Sequence, residues 1–146
     1  MNAASAVRLY TPELLGLAVS LADYPLTEDL LLRSEAHSRT CGSAVAIGLT
    51  CDDAGRIEKL GMMVSACAVG QAAAAIFASG ALTADAARIQ DATEAVENWL
   101  SGNADQPYWP GISALEAARD YPARHGVIAL PWKAASDALC KAKPPR

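Results

Sequence analysis

Two cysteines, Cys41 and Cys67, are the residues of this sequence best suited to chemistry. Cys41 precedes a glycine at the start of a predicted strand, and Cys67 lies at the first turn of a predicted alanine-rich helix. Unpaired backbone N–H groups at the first turn of a helix favour the thiolate form of a cysteine. The two positions therefore predict soft-metal or sulfur chemistry. Ordinary small core residues are the alternative interpretation of the pair.

A predicted β-hairpin separates the two cysteines in sequence and should bring them together in space. Small and apolar residues alternate over residues 44–50, and a partner strand follows at residues 56–63. The segment Asp52-Asp53-Ala54-Gly55 supplies the turn between them. Because both cysteines lie on the side of the hairpin remote from this turn, we expect them at the same end of the sheet.

The remaining elements complete an α+β fold, a three-stranded antiparallel sheet meander covered by helices. An edge strand is predicted over residues 33–40. Helices are predicted over residues 12–22, 67–79, 84–100 and 113–119, the third being either one broken helix or two short ones. The second of these should end at Gly80 as its C-cap. Residues 26–32 leave a helical turn and an approach to the sheet as open alternatives.

The expected start of the last helix determines the environment of His125. A proline costs almost nothing at the first position of a helix but loses a hydrogen bond inside one, so Pro131 predicts a start near Leu130. His125 would then precede the helix, where it could cap the helix, lie at the surface or supply an imidazole to a metal. We hypothesise an open metal site formed by Cys41, Cys67 and His125, with His37 as a lower-ranked imidazole.

Length, composition and charge narrow the class of protein. The 146 residues are 52% apolar and 19% charged, which predicts a single domain over residues 1–146 with a flexible tail at 141–146. Tryptophans Trp99, Trp109 and Trp132 are expected to anchor the core. A net charge of −4 argues against nucleic acid or an anionic membrane as a partner. No motif of a hydrolase or nucleotide enzyme is present, so we do not expect an enzyme.

The N-terminus and the thiols together predict the compartment. Residues 1–8 lack the basic start and apolar run of a secretory signal, so we expect a cytoplasmic protein with free or metal-bound cysteines rather than disulfides. Cys51 at the hairpin turn and Cys140 late in the last helix are expected to be structural thiols. The uncharged segment 61–84 predicts a strand running into a buried helix rather than a membrane span.

Four segments, in this order, resemble the IscU/NifU-type iron–sulfur cluster assembly scaffold family, nearest its SufU-like branch. They are Cys41-Gly42, the Asp52-Asp53-Ala54-Gly55 turn, Ala66-Cys67-Ala68-Val69-Gly70-Gln71-Ala72, and Pro122-Ala123-Arg124 continuing to Leu130-Pro131-Trp132-Lys133-Ala134. The resemblance covers most of the chain. It implies a three-stranded IscU/SufU-like fold and a scaffold on which iron, zinc or a nascent iron–sulfur cluster is held transiently through Cys41 and Cys67.

The site departs from the family pattern at two positions. Family members use three cysteines and an aspartate two residues after the first, whereas Ser43 and Val127 stand where the aspartate and the third cysteine are expected. The resemblance also implies a cysteine desulfurase as sulfur donor and apo iron–sulfur proteins as acceptors. Two alternatives remain: a persulfide acceptor that uses Cys67, and an adaptor that keeps the fold without the metal site. Arg124 and Lys133 could steer an anionic sulfur species or could be solvated helix residues.

Overall fold

The computed structural model describes residues 9–39 and 42–141. It contains three strands and four α-helices within these residues, with two 3-10 helices between them. In chain order the elements are α1 Pro12–Ser20, a 3-10 helix Leu21–Asp23, β1 Leu32–His37, β2 Ala44–Cys51, β3 Ile57–Ser65, α2 Ala68–Ala81, α3 Ala86–Leu100, a 3-10 helix Ile112–Asp120 and α4 Pro122–Lys141. The predicted α+β class is confirmed.

The three strands form an antiparallel meander in the order β1-β2-β3, as predicted. The register pairs His37 of β1 with Ala44 of β2, and Ala44 with Ser65 of β3. Asp52 closes the hairpin, because its carboxylate Oδ1 accepts from the amides of Ala54 and Arg56, both at 2.9 Å. The inner face of β2 is fully buried beneath the helices.

The first helix follows its sequence signals. Thr11 is the N-cap, and its hydroxyl accepts from the Leu14 amide at 3.1 Å. Pro12 occupies the first helical position, where its missing N–H costs nothing. Leu14 is fully buried under this first turn. The prediction of a helix starting at residue 12 is confirmed.

The predicted start of the last helix near Leu130 is wrong. The helix α4 begins at Pro122 and runs through Pro131 to Lys141. Pro122 therefore takes the first-turn position that the sequence analysis gave to Pro131. Pro131 has no N–H to donate to the carbonyl of Val127, so α4 lacks one backbone hydrogen bond at this point. The side chain of Pro131 is buried in the core. His125 consequently lies in the first turns of α4 and not in a loop.

The predicted helix end at Gly80 is also wrong, because α2 continues to Ala81. Gly80 is required for packing instead: a Cβ built there would lie 2.7 Å from the indole of Trp109. The Trp109 indole N–H donates to the carbonyl of Ile76 at 2.8 Å, which holds the 102–111 loop against α2. Trp99, Trp109 and Trp132 are all buried, so their predicted role in the core is confirmed.

The segment left open in the sequence covers the outer face of the sheet. Gly48 and Gly61 are opposite one another on β2 and β3. A Cβ on Gly61 would lie 2.0 Å from the carbonyl oxygen of Pro25, and one on Gly48 would lie 2.8 Å from the Cβ of Leu30. The two glycines therefore let residues 25–30 cross the sheet in direct contact with its backbone.

Two further predictions concern the limits of the chain and the membrane. Lys141, assigned to the flexible tail, ends α4, and its ammonium donates to the carbonyl of Arg33 at 3.0 Å. Residues 142–146 and Cys41 lie outside the described residues. The single-domain organisation stays a prediction. None of the helices in the described part of the chain has the length and apolar character needed to cross a bilayer.

Candidate metal centre

One end of the sheet collects the segments that carry the predicted site. The pairing of Ala44 with Ser65 places the chain that enters β2 beside the chain that leaves β3. Gly42 and Ser43 lie just before Ala44, and Cys67 lies two residues beyond Ser65. The placement of Cys41 itself is not described, so its contact with Cys67 stays a prediction.

Cys67 is the N-cap residue of α2, with extended backbone angles of −67° and 173°. Its carbonyl accepts the first helical hydrogen bond from Gln71 at 2.9 Å, while the Gln71 amide side chain donates back to the carbonyl of Ala66 at 3.0 Å. These two bonds fix the turn between β3 and α2. The half-buried Cys67 thiol makes no capping hydrogen bond to α2. Its sulfur therefore lies at the positive end of the helix dipole without being used as a cap.

The helix α4 packs directly over the first turn of α2. A Cβ built on Gly70 would lie 2.6 Å from Cγ2 of Val127 and 2.7 Å from Cβ of Ala66. Val127 is fully buried at this contact. The position at which the family resemblance expects a third cysteine is thus adjacent to the helix turn that follows Cys67. An apolar side chain occupies it here.

Ser43 occupies the position at which the resemblance expects an aspartate, and it is only 5% exposed. Its carbonyl accepts from the amide of Ser38 at 2.8 Å, which closes the turn between β1 and β2. Gly42 has a φ of +69°, a conformation that other residues rarely adopt. The glycine beside Cys41 therefore has a conformational role in this turn.

His125 hydrogen-bonds through its Nε2 to the carbonyl of Arg119 at 2.9 Å. A carbonyl accepts, so Nε2 donates in this hydrogen bond, and a metal could be bound only through Nδ1. His125 lies two residues before Val127 on α4, which places the two side chains about 200° apart around the helix. His125 is expected in a loop before the last helix, but it lies within α4, which directs its side chain away from the contact between Val127 and Gly70.

His37 reaches the same end of the sheet but belongs to its outer face. It is the last residue of β1, and its Nε2 lies 2.8 Å from the carboxylate of Glu35, with both side chains largely exposed. The helix α2 packs on the opposite, inner face of the sheet. Across residues 9–39 and 42–141, no three His, Cys, Asp or Glu side chains lie close enough together to hold a metal ion.

The other described cysteines are distant from this end of the sheet. Cys51 lies at the far end of β2, seven residues from Ala44 and therefore roughly 23 Å away along the strand. Burial raises the pKa of the Cys51 thiol above its ordinary value, and the charges of Asp52 and Glu58 raise it further. Cys140 is exposed in the last turn of α4. Cys51, Cys67 and Cys140 are free thiols.

The two basic residues considered for anion steering have other contacts. Lys133 lies 3.5 Å from the carboxylate of Glu97, and both side chains are about half exposed. Arg124 reaches the hydroxyl of Tyr10 at 3.5 Å. Arg124 and Lys133 are nine positions apart on α4, a distance of about 13.5 Å along the axis. They therefore do not form one cationic group.

The fold is a three-stranded meander with Cys67 at the start of the following helix, and its sheet is the one implied by the resemblance to the IscU/NifU-type scaffold family. Comparison with solved structures confirms the predicted resemblance to this family. A nitrogen-fixing NifU-like protein (N-terminal part) from Brucella abortus superposes with a TM-score of 0.83 and 28% identity, covering 96% of this chain and 99% of that one.

Two more distant structures share the fold. The protein assigned as iron–sulfur cluster assembly scaffold for the SUF system of Fervidobacterium islandicum has a TM-score of 0.78 at 19% identity, covering 90% of this chain and 96% of that one. A protein without an assigned function has a TM-score of 0.66 at 14% identity, covering 87% of this chain and 96% of that one. Neither a family model nor a curated protein matches the sequence.

Proposed function

We propose that this protein is a scaffold in iron–sulfur cluster assembly, which receives iron, zinc or a nascent cluster as cargo at Cys41 and Cys67 and passes it to an acceptor protein. The observation that carries the proposal is the environment of Cys67, a thiol at a helix N-terminus that makes no capping bond. The end-to-end match to a NifU-like protein at 28% identity supports the same function.

The ligand set explains why such a site would release its cargo. Iron–sulfur clusters are held by cysteine thiolates, usually four of them. This site offers two cysteines, because Val127 is apolar and Ser43 replaces a carboxylate. His125 could add Nδ1 only if its side chain turned from its present direction. A cluster on this site would therefore keep open positions, and a partner with further thiolates would remove it.

Anaerobic reconstitution with iron and sulfide tests this proposal. We expect visible charge-transfer absorption and bound iron in the wild type, and loss of both in Cys41→Ser and Cys67→Ser. Cys51→Ser and Cys140→Ser are the matched controls, since each also removes one thiol but lies far from the proposed site. Equal iron content in all five proteins would contradict the proposal, and unchanged content in His125→Ala would exclude His125 as a ligand.

A second candidate function, sulfur transfer from a cysteine desulfurase, follows from the same unbonded thiol. The Cys67 thiolate would attack the terminal sulfur of the donor's persulfide, forming a new S–S bond while the donor cysteine leaves as a thiolate. Incubation with a desulfurase and cysteine, followed by mass spectrometry, distinguishes the two functions. A gain of one sulfur on Cys67 without bound iron indicates transfer. Desulfurase binding with neither iron nor sulfur gained indicates an adaptor.

A further inference from the structure

The outer edge of β3 is paired at two places and open between them. The Met62 amide donates to the carbonyl of Tyr24 at 2.9 Å. At the other end, the Ile57 amide donates to the carbonyl of Ala84 at 2.9 Å, and the Ile57 carbonyl accepts from the Thr83 amide at 2.8 Å. The strand order leaves no further strand beside β3 in the described sheet. A stretch of free strand edge therefore lies between the two pairings.

Leu60 is the centre of this free stretch. Backbone groups alternate sides along a strand, so the N–H and C=O of Leu60 point to the same side as those of Met62. Within residues 9–39 and 42–141, no group outside the sheet bonds to the Leu60 backbone. Among the described residues, the Leu60 N–H and C=O are therefore left without a partner at the strand edge, and the residue as a whole is 9% exposed.

A groove of about 320 Å³ opens over this stretch, and we call it the β3 edge groove. Its apolar lining comes from Tyr24, Pro25, Leu30, Leu60 and Leu82. Leu82 is 49% exposed, so its side chain is accessible to a ligand on the wall of the groove. Apolar walls around unpaired backbone groups are the combination found where an extended peptide adds to a sheet edge.

The rim of the groove carries charges of both signs, because the Arg33 guanidinium donates to the carbonyl of Thr27 on its lining. Lys59 is paired with Asp29 at 3.5 Å, and a hydrogen bond from the Thr27 hydroxyl lowers the pKa of Asp29, so that this carboxylate stays charged. Glu58 is exposed beside them and has no ion-pair partner among the described side chains. A ligand that enters the groove would therefore be favoured by a basic residue near Glu58.

The shape of the edge favours a short peptide over a second copy of this chain. The segment at Tyr24 and Pro25 and the turn at Thr83 and Ala84 stand at the two ends of the free stretch. A long strand of a second copy would need the edge positions at Met62 and Ile57 that these two segments already occupy. A single extended segment of about three residues, roughly 10 Å long, fits between them.

We propose that the β3 edge groove binds an extended peptide segment of a partner protein, which pairs with the Leu60 backbone, places an apolar side chain against Leu82 and sets a basic residue beside Glu58. This site lies on the strand edge and is separate from the thiols of the proposed scaffold function. Loss of either function by mutation should leave the other intact.

The probe is a capped hexapeptide, acetyl-Lys-Val-Thr-Val-Thr-Lys-amide, titrated into the full chain and followed by amide NMR shifts. We expect saturable shifts at residues 58–62 and 82–84. Two further peptides carry N-methyl groups on alternate residues, one peptide for each register. The peptide whose methyl groups fall on the amides that pair with β3 should bind at least tenfold more weakly, because its backbone pairing is blocked. Equal binding of all three peptides, or no shift at millimolar peptide, would overturn the proposal.

A charge-reversal variant tests the rim independently. Glu58→Lys should lower the affinity for the basic peptide by about fivefold, which is the effect of reversing one exposed ion pair. The same variant should raise the affinity for a peptide with glutamates in place of the lysines. Glu94→Lys on the exposed face of α3 makes the same charge change away from the groove and should leave both affinities unchanged. Equal effects of the two variants would overturn the assignment of Glu58. Concentration-dependent dimerisation that blocks the peptide would identify a second copy as the occupant instead.

Discussion

The two ends of the central strand β2 each lie near a cysteine, and they differ in what surrounds the sulfur. At one end, Cys67 begins a helix and makes no capping bond to it. At the other end, Cys51 adjoins the carboxylates of Asp52 and Glu58, which add to the effect of burial in raising its pKa. The proposed function uses the thiol at the first end, whereas burial and neighbouring carboxylates raise the pKa of the thiol at the second.

Completing the ligand set at the first end should give the largest effect. Val127→Cys adds a thiol at the contact with Gly70, in the first turn of the helix that begins after Cys67. A structural zinc site gains about 10–16 kcal/mol from roughly four ligands, so one more thiolate should raise metal affinity about a hundredfold. Competition with a chelator after zinc or iron loading measures this. Val127→Ala is the control, and an equal affinity of the two variants would separate Val127 from the site.

A substitution that overpacks the same end of the sheet should give the next largest effect. Gly70→Ala would place a methyl group 2.6 Å from Val127 and 2.7 Å from Ala66, both short side chains that cannot swing aside. The overpacking should outweigh the gain in helix propensity and lower the free energy of unfolding by about 1–2 kcal/mol. Urea unfolding measures this change. Gly16→Ala in α1, where nothing lies within 4 Å, should instead be stabilising.

The hairpin turn at the second end should be less sensitive. Asp52→Ala removes the carboxylate that accepts from the amides of Ala54 and Arg56, at an exposed position. We expect a loss of about 1 kcal/mol in the free energy of unfolding. Asp53→Ala, in the same turn, should change the free energy of unfolding by less than about 0.5 kcal/mol. Similar losses for both variants would show that the Asp52 hydrogen bonds do not stabilise the turn.

The pH dependence of Cys51 should give the smallest effect. The pKa of this thiol is higher in the folded protein than in the unfolded chain. The free energy of unfolding is therefore unaffected below the ordinary thiol pKa and falls as the pH rises through the pKa of the folded protein. The alkylation rate of Cys51 should therefore rise at a higher pH than that of a model cysteine peptide. Asp52→Asn should move this midpoint down. A midpoint at or below that of the peptide would contradict the assignment.

Local signals in the sequence were sufficient for much of this architecture. Thr11 and Pro12 start α1 because one side chain caps the helix and the other needs no hydrogen bond. Asp52 closes the hairpin through its own carboxylate, and alternation then sets the pairing of Ala44 with Ser65. In each of these interactions the two bonded groups are only a few residues apart, so a short stretch of sequence is enough to predict it.

The errors arose where a distant partner decides the local structure. Gly80 alone favours the end of a helix, yet α2 continues through it. The indole of Trp109 occupies the space that a side chain at position 80 would fill, so close packing requires a glycine there. Pro131 is tolerated inside α4 because the surrounding core buries that part of the helix. The signal that could have located the helix start was Pro122, a second proline suited to a first turn.

The sequence by itself determined the order of strands and helices, the turn that aligns the hairpin and the presence of Cys67 at a helix start, because propensity, capping and alternation act over a few residues. Only the tertiary structure decided that Val127 contacts the first turn of α2, that His125 faces the carbonyl of Arg119, and that the backbone of Leu60 has no partner at the edge of β3 within the described part of the chain. Each of these depends on helix orientation and close packing between segments far apart in the chain, which no local pattern specifies.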